Sequence, residues 1–426
     1  MIDQELIRKD PEKVKAALKK KLWEVDFAAY LQMDKQRKEL LQIVEGNKAE
    51  MNRLSASVPA AKKAGEDVTK IFAKVKEINE SNKENEAKIK IIEDKVFAFL
   101  SELPNIPDDD LLGGGKENNK PIRNFGKKPE FSFKAKDHVE LAESLGLIDY
   151  ARGAKISGHG AWIYTGLGAQ LEWALVNFFI SEHLKDGYQF ILPPHLLNEE
   201  SGYVAGQFPK FRNDVFWLDG LEPRRFILPT AETALVNLHR DEIMQESDLP
   251  KKYFAYTPCY RREAGSYRTE ERGMIRGYQF NKVEMVQYTK PEDSDAAFEE
   301  LVNKAENLVK KLGLHYQVSK LAAGDISHSM ARTYDIEVYL PSVGIYKEVS
   351  SASNARDYQA RRGKIRYRDV ATGKTRFVHT LNASGLATSR IFPALLEQNQ
   401  QEDGSVLIPE VLQPFMGGLK VLKPIK

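Results

Sequence analysis

The sequence predicts an α+β fold, in which an antiparallel β-sheet flanked by helices follows a long N-terminal arm of two antiparallel α-helices. Residues 27–103 are rich in Lys, Glu, Ala and Asn, contain a single proline, Pro59, and repeat apolar residues at helical spacing. Beyond them, strand-like runs and amphipathic helices such as 293–312 alternate. Many of these strands end in turns rather than in regular crossover helices, which favours antiparallel strands over a doubly wound fold.

The second helix of the arm has the clearer periodicity. Steps of alternately three and four residues from Val68 to Leu103 meet apolar side chains except at Asn82 and Asn85, which is typical of a coiled coil. A short break containing Pro59 and Gly65 makes the two helices antiparallel neighbours. A dimerisation coiled coil or a spacer would show the same pattern. The first helix offers looser apolar partners at Leu40, Leu41, Ile43, Val44, Met51, Leu54 and Val58.

Composition divides the chain into three expected regions. Residues 1–103 form a helical domain, with the arm at about 27–103. Residues 104–130 are rich in proline, glycine and charge and predict a linker. Residues 131–426 form the main globular domain.

Charge and cysteine content exclude several classes of protein. The 426 residues carry 63 Lys and Arg against 61 Asp and Glu, so a broadly basic nucleic-acid coat protein is excluded and any polyanion must meet local patches. Cys259 is the single cysteine, which allows neither an intramolecular disulfide nor a thiolate zinc cluster and favours a reducing compartment, the cytoplasm. We expect no signal peptide and no membrane-spanning segment, since no stretch approaches about 20 apolar residues.

Two segments carry groups suited to nucleotide and amine chemistry. Residues 260–263 read Tyr-Arg-Arg-Glu, and period-two geometry places Arg276, Phe280 and Glu284 on one face of a following strand, together with Tyr278 and Lys282. An arginine fork binds phosphate or carboxylate, a ring stacks on a base, and a carboxylate binds an amine. For this segment by itself, a salt-bridged antiparallel pair of strands is the better explanation.

A third segment, 384–390, has small residues leading into Arg390 at the start of a predicted helix. Small residues let the backbone approach a ligand closely, and an arginine there can meet a terminal phosphate. Glu348, in a further strand, reads by itself as an exposed carboxylate.

Together these segments resemble the second and third signature motifs of class II aminoacyl-tRNA synthetases. DGYQFILPPHL at 186–196 resembles the first motif, in which Pro194 matches a proline of the dimer interface. The finer pattern resembles the seryl-tRNA synthetase family of bacterial type over essentially the whole chain. Its matching segments are GQFPKF, LPTAETAL, TPCYRREAGS, RGYQFNKVEM, YKEVSSASN, DYQARR, HTLNASGLATSR and LIPEVLQPFMGG.

This resemblance implies a serine–tRNA ligase with a class II catalytic domain at 131–426. Such an enzyme converts L-serine and ATP to seryl-adenylate and transfers the seryl group to the 3′-terminal adenosine of tRNA(Ser), and of tRNA(Sec) where present. The implied cofactors are ATP, as a substrate, and Mg²⁺, without zinc. A homodimer is implied, and the arm would hold the long variable arm of the tRNA. The chemistry needs no enzyme nucleophile, so Cys259 is expected to be a packed strand residue.

The resemblance also implies roles for individual residues, carried over position by position. Catalytic roles fall to Arg261 and Arg390. The serine-binding residues are Thr230, Ala231, Glu232, Glu284, Asn382 and Ser384. The ATP-binding residues are Arg261, Arg262, Glu263, Phe280, Glu348, Val349, Ser350, Ser351 and Arg390. Magnesium would be met through ATP by Glu348 and Ser351.

Three rival interpretations stay open at this stage. A ligase that loads an amino acid onto a carrier protein would lack the arm. An inactive paralogue acting as an RNA-binding or regulatory protein, or an active duplicate tolerant of an inhibitor, would keep it. Two segments depart from the usual pattern, a charged loop at 265–279 and the segment 322–335, without removing any residue named above.

Overall fold

The structure is a computed structural model that describes residues 1–263 and 272–425. Residues 265–271 of the charged loop, and the end of the TPCYRREAGS segment, lie outside the described residues. The chain divides into two compact units. One comprises Ile2–Ala16 and Glu24–Leu103, and the other comprises Met1, Ala17–Trp23 and Pro104–Lys426.

The N-terminal region is helical and is dominated by two long helices. A bidentate ion pair joins α1 to α3, because the Arg8 guanidinium donates to the Asp34 carboxylate at 2.7 and 2.8 Å. Hydrogen bonds from Arg8 hold the pKa of the buried Asp34 carboxyl well below its usual range. The helices are α1 (Gln4–Lys9), α2 (Pro11–Lys20), α3 (Ala28–Lys63) and α4 (Thr69–Glu102).

Helices α3 and α4 form the expected antiparallel coiled-coil arm. Arg37 pairs with Glu93 at 3.7 Å, and Lys48 pairs with Glu86 at 2.9 Å. The residue numbers of the partners on α4 decrease as those on α3 increase, so the two helices are antiparallel. The predicted seam of α4 is buried or half-buried throughout. The expectation for Ile43 was wrong: it is 49% exposed, because its neighbour Val44 occupies the seam and adjacent helical residues point in different directions.

The turn of the arm lies after Pro59 and not at it. Helix α3 continues through Pro59, whose fixed φ suits a helix although it removes one backbone donor. The helix ends where Gly65 adopts a φ of +73°. There the N–H of Glu66 donates to the carbonyl of Ala61 at 3.0 Å and that of Gly65 to Lys62 at 3.3 Å, which is a Schellman motif.

The larger unit is built on a mixed but mainly antiparallel sheet, as the sequence predicts. The strands within the described residues are β1 (Lys120–Phe125), β2 (Ile148–Asp149), β3 (Ile163–Tyr164), β4 (Gln189–Phe190), β5 (Leu196–Asn198), β6 (Trp217–Leu218), β7 (Arg225–Ile227), β8 (Ile243–Gln245), β9 (Lys251–Tyr260), β10 (Gln279–Thr289), β11 (Tyr316–Lys320), β12 (Arg332–Leu340), β13 (Ile345–Asn354), β14 (Arg366–Arg368), β15 (Thr375–Phe377), β16 (His379–Ala387), β17 (Val406–Leu407) and β18 (Val421–Leu422).

The largest sheet of the described chain has eight strands in the order β1-β11-β12-β13-β16-β10-β9-β4. Its neighbours pair antiparallel except β4 with β9. Strand β1 lies within the segment 104–130, so that segment carries an edge strand. The helices of this unit are α5 (His138–Ser144), α6 (Tyr150–Ser157), α7 (Gly166–Lys185), α8 (Glu199–Val204), α9 (Glu232–Leu235), α10 (Ser294–Lys311), α11 (Tyr358–Gly363) and α12 (Thr388–Gln398). Short 3-10 helices cover Lys116–Asn118, Glu246–Asp248, Pro291–Asp293 and Glu410–Met416.

The main apolar core lies between this sheet and helices α7, α10 and α12. On β10, Val283 and Met285 are fully buried in that core. Alternate residues of a strand face opposite sides, so Lys282 and Glu284 face the other side. The alternation of β10 therefore separates the core from a polar surface of the sheet. No helix among the described residues is long and apolar enough to cross a membrane.

Candidate active site

A buried carboxylate, Glu284, organises the polar side of the sheet. It is 1% exposed and lies on β10 opposite Ser384 of β16. Its Oε1 accepts a hydrogen bond from Asn382 Nδ2 at 3.1 Å, and its Oε2 accepts one from Ser384 Oγ at 3.4 Å. The antiparallel register of β10 and β16 thus brings Glu284 together with Asn382 and Ser384 of the expected serine-binding set, which lie 98 and 100 positions later in the chain.

Lys282 completes this cluster, and the sequence assigned it no role. It is 6% exposed, forms an ion pair with Glu284, and donates from Nζ to Thr230 Oγ1 at 2.7 Å. The two-residue repeat of the strand already predicted that Lys282 shares a face with Glu284. Its contact with Thr230 was not predicted, because Thr230 lies 52 residues earlier in the chain, before β9.

Glu232 brings a second carboxylate to the same place. It begins α9, directly after the buried Ala231, and its N–H donates to Thr230 Oγ1 at 3.3 Å. Its Oε1 accepts from Gln359 Nε2 at 2.8 Å. Burial, and then the neighbouring charge of Glu284, raise the pKa of Glu232 to about 7. This cluster contains two carboxylates and one lysine, so its charge favours the binding of a further cation.

Arg261 and Phe280 lie together at the end of β9 and the start of β10. The guanidinium of Arg261 is 5.2 Å from the ring centroid of Phe280, and its Nε donates to the carbonyl of Pro229 at 3.3 Å. A ring with a guanidinium at this distance offers a stacking surface and a positive charge side by side.

Arg262 and Glu263 continue this segment in other directions. The Arg262 side chain is exposed and donates to the carbonyl of Asn213 at 3.3 Å, while its N–H donates to Asp214 at 2.9 Å. Glu263, whose φ is +48°, forms an ion pair with Arg276. Arg262 therefore anchors the segment to the 213–214 turn. Glu263 joins the segment after β9 to Arg276, which was expected on the following strand but precedes β10.

Arg390 and Glu348 meet at the other expected nucleotide position. Arg390, in the first turn of α12, lies 3.2 Å from Glu348 Oε1 and donates to the Glu348 carbonyl at 2.8 Å. Two neighbouring members of the expected ATP set have buried side chains. Val349 lies in the apolar core, and Ser350 Oγ donates to the carbonyl of Ser384 at 2.6 Å. Val349 is 1% exposed and Ser350 is fully buried, so neither presents its side chain to a ligand.

A β-bulge places Glu348 and Ser351 on one face of β13, beside Asp335, which had no predicted role. The pairing with β12 passes from Ser350 to Glu348, so Val349 is the extra residue. Ser351 lies opposite Asp335 and donates to its carboxylate, and Glu348 lies opposite Glu337. Burial and the charge of Glu348 raise the pKa of Asp335 well above its usual range.

Carboxylate and hydroxyl oxygens at Glu348 and Ser351 are donors that suit Mg²⁺. Among the described residues, no group of three or more His, Cys, Asp or Glu side chains is arranged to hold a metal ion. Magnesium in nucleotide enzymes is bound by one or two carboxylates together with phosphate oxygens, and this donor set fits that arrangement.

Comparisons with known proteins agree with this geometry. Residues 1–107 match the family model described as the seryl-tRNA synthetase N-terminal domain. Residues 216–399 match the tRNA synthetase class II core domain for G, H, P, S and T.

Two curated relatives are similar along nearly their whole length. The chain is 62% identical to serine–tRNA ligase 2 of Clostridium acetobutylicum over 98% of this chain and 99% of that protein. It is 45% identical to serine–tRNA ligase of Thermodesulfovibrio yellowstonii with the same coverage.

Two solved structures superpose on the whole chain. Seryl-tRNA synthetase from Pyrococcus horikoshii, complexed with ATP, gives a TM-score of 0.93 at 34% identity and covers 100% of both chains. The cytoplasmic serine–tRNA ligase from Naegleria fowleri, in complex with AMP, gives 0.89 at 25% identity, covering 100% of this chain and 99% of that one. The fold, the polar cluster on β10 and β16, and these similarities along the entire chain establish that it belongs to the seryl-tRNA synthetase family.

Proposed function

We propose that this chain is a serine–tRNA ligase that forms seryl-adenylate from L-serine and ATP and then charges tRNA(Ser), and tRNA(Sec) where that tRNA is present. The observation that carries the proposal is the convergence of Glu232, Glu284, Asn382 and Ser384 around the Lys282–Thr230 contact. Family membership supplies the reaction, and this cluster supplies groups for an amino acid with a hydroxyl side chain.

The two carboxylates receive the ammonium group of serine, and the β16 residues receive its hydroxyl. Asn382 Oδ1 is a buried acceptor that has no hydrogen-bond partner within the described chain, so a substrate hydroxyl can donate to it. Alanine would leave these buried polar groups unpaired, which costs far more than the loss of contact. Threonine must be refused by lack of room for its extra methyl group.

The nucleotide is assigned to the groups on either side of this pocket. Phe280 stacks on adenine, and Glu263 contacts the nucleotide. Arg261 bridges the serine carboxylate and the α-phosphate, and Arg390 meets the γ-phosphate. The solved Pyrococcus horikoshii relative is described as a complex with ATP, which supports a nucleotide at the matching site. Magnesium bound with ATP, held through Glu348 and Ser351, would neutralise phosphate charge.

Catalysis in this assignment is positioning and charge stabilisation. The serine carboxylate oxygen attacks the α-phosphorus in line, the bond to the bridging oxygen breaks, and pyrophosphate leaves. Arg261 and Arg390 stabilise the negative charge that develops on the phosphates. A hydroxyl of the terminal adenosine then attacks the seryl carbonyl, and AMP leaves.

The arm is assigned to the tRNA. Helix α3 has 36 residues and α4 has 34, so each is about 50 Å long at 1.5 Å per residue. Double-stranded RNA is recognised by shape, phosphates and 2′-hydroxyls, for which scattered lysines such as Lys62, Lys63, Lys70 and Lys74 suffice. The arm also disfavours a ligase acting on a carrier protein.

A homodimer and a cytoplasmic location complete the proposal. Residues 192, 194 and 196 alternate outward, with Leu192 74% and Leu196 46% exposed, and Trp173 is 53% exposed. Such exposed apolar side chains suit a subunit interface. The relative from Naegleria fowleri is described as cytoplasmic, and a single cysteine suits a reducing compartment.

ATP–pyrophosphate exchange with serine, threonine, alanine and no amino acid tests the activation step. We expect exchange that depends on serine and is weaker by orders of magnitude with alanine. Exchange that does not respond to serine would overturn the proposal.

Removal of residues 27–103 tests the role of the arm. We expect this deletion to abolish charging of tRNA(Ser) and to leave serine-dependent exchange largely intact. Loss of both activities from a folded catalytic unit would contradict this division of labour.

A further inference from the structure

Gln359, in the DYQARR segment, is a buried side chain that contacts the proposed serine pocket. It lies on α11 and is 1% exposed. Its Nε2 donates to the carbonyl of Ala205 at 2.9 Å and to Glu232 Oε1 at 2.8 Å, and its Oε1 accepts from Thr380 Oγ1 at 2.6 Å. One amide thus joins three segments that are distant in the sequence.

The orientation of this amide follows from its partners. The carbonyl of Ala205 can only accept, so the amide nitrogen must face it, and its second N–H then faces Glu232. The amide oxygen consequently faces the Thr380 hydroxyl. Thr380 fixes Gln359, and Gln359 in turn fixes one oxygen of the Glu232 carboxylate.

We propose that Gln359 is a positioning residue for amino-acid recognition: it holds the Glu232 carboxylate in place to receive the ammonium group of the substrate. This inference rests on the proposed function and deepens it, since it adds a residue that does not itself touch serine. A neutral donor suits this task. A cation at the same position would compete with the substrate ammonium for the carboxylate.

The groups around Glu232 set its pKa near neutral, so the effect of the hydrogen bond from Gln359 on that pKa can be measured. Glu284 and Lys282 face it from β10, Arg261 faces it from the end of β9, and Gln359 faces it from α11. The hydrogen bond from Gln359 favours the ionised carboxylate, because a donor stabilises the charged form of an acid. Its removal therefore raises the pKa of Glu232 above about 7, and the carboxyl is then mostly protonated at neutral pH.

The matching experiment replaces Gln359 by methionine in the full-length enzyme and measures serine-dependent exchange from pH 6 to 8.5. We expect the KM for serine to rise about tenfold or more at pH 7, with a smaller change in kcat. The acidic limb of kcat/KM for serine should move to higher pH, since that profile reports the free enzyme. The KM for ATP should stay within about twofold.

Gln400 supplies a matched control for simple loss of packing. It is 2% exposed, and its amide also makes three hydrogen bonds: Nε2 donates to Lys136 at 3.1 Å and to Glu397 at 2.9 Å, and Oε1 accepts from Lys136 at 2.8 Å. Gln400→Met should lower the thermal midpoint as Gln359→Met does, and it should leave the KM for serine and its pH profile unchanged.

A milder variant, Thr380→Val, keeps the side-chain shape and removes the donor that orients Gln359. It should shift the KM for serine in the same direction by a smaller factor. An unchanged serine KM and pH profile in folded Gln359→Met, or equal losses in Gln359→Met and Gln400→Met, would overturn the positioning role. Absence of serine-dependent exchange in the parent enzyme would instead overturn the proposed function.

Discussion

Asn47 on α3 donates its side-chain amide to the side-chain carbonyl of Asn82 on α4 at 2.8 Å, across the middle of the arm. Asn82 is 5% exposed and takes a position of the apolar seam, where its Nδ2 also lies 3.9 Å from the sulfur of Met51. A paired buried asparagine in a coiled coil costs stability relative to apolar residues and specifies one register. The pair therefore favours a single alignment of the two long helices, whose α4 seam is otherwise apolar except at Asn85.

The first prediction concerns this pair. Asn47→Ala leaves the buried Asn82 carbonyl without its donor, at a cost of about 1–3 kcal/mol. Backbone amides of α3 and α4 should exchange with solvent about 5- to 150-fold faster, which hydrogen exchange of the intact enzyme measures. Asn47→Ile combined with Asn82→Ile should slow exchange below that of the parent.

Asn52, exposed on the same helix, provides the control for this test. Asn52→Ala should leave the exchange of the arm unchanged. Equal exchange in the Asn47 and Asn52 variants would mean that the buried pair does not stabilise the arm.

The second prediction concerns the buried ion pair of Lys282 with Glu284. Glu284→Gln removes the carboxylate that forms the buried ion pair with Lys282, and breaking such a pair costs about 3–5 kcal/mol of unfolding free energy. Lys282→Met combined with Glu284→Gln should recover a large part of that loss, because neither charge remains. Both variants should lose about 10- to 150-fold in kcat/KM for serine, since the ammonium loses a charged acceptor.

Urea unfolding of the four enzymes in this double-mutant cycle measures the coupling. The exposed pair of Arg376 and Glu292, 3.1 Å apart, is the control: Glu292→Gln should change stability by no more than about 1 kcal/mol. Additive effects of the Lys282 and Glu284 substitutions would show that the two groups are not coupled.

The third prediction concerns Glu232 and pH. Its pKa is about 7 in the folded protein against 4.5 for an unperturbed glutamate, so the folded state holds the proton more tightly between these values. This contribution to stability is present below pH 4.5 and is lost as the pH rises through 7. Glu232→Gln should therefore gain stability over the parent by on the order of 2 kcal/mol between pH 5 and pH 8, as urea unfolding measures.

The same variant should bind serine less tightly at pH 8, because it lacks the charge that meets the ammonium. A stability difference that stays constant between pH 5 and pH 8 would contradict the raised pKa of Glu232.

The fourth prediction concerns Cys259, which is fully buried on β9. Burial raises the pKa of its thiol and keeps it protonated at neutral pH, so it is a poor nucleophile. A thiol reagent should label the native enzyme slowly and the urea-unfolded chain rapidly. Cys259→Ala should retain serine-dependent exchange within about threefold and lose about 1 kcal/mol of stability. Rapid labelling of the native enzyme, or loss of exchange, would contradict a packing role.

Much of the architecture follows from local patterns in the sequence. The heptad spacing of α4 predicts the arm, and the two-residue period of β10 places Lys282 and Glu284 on the face opposite Val283 and Met285. Both patterns depend only on how side chains project from a regular backbone. The motif residues assigned to serine and ATP were also identifiable, although their individual roles stay predictions.

What the tertiary structure decided is which distant groups meet. The bulge at Val349 aligns Glu348 with Ser351 and brings both beside Asp335, a register that no strand contains by itself. Gln359 reaches Glu232 across 127 positions of chain only because α11 packs beside α8 and β16. The end of α3 beyond Pro59 was likewise determined by the turn that returns the chain to α4. Side-chain periodicity is a local property of the backbone, whereas the partner of a buried polar group depends on how distant elements pack.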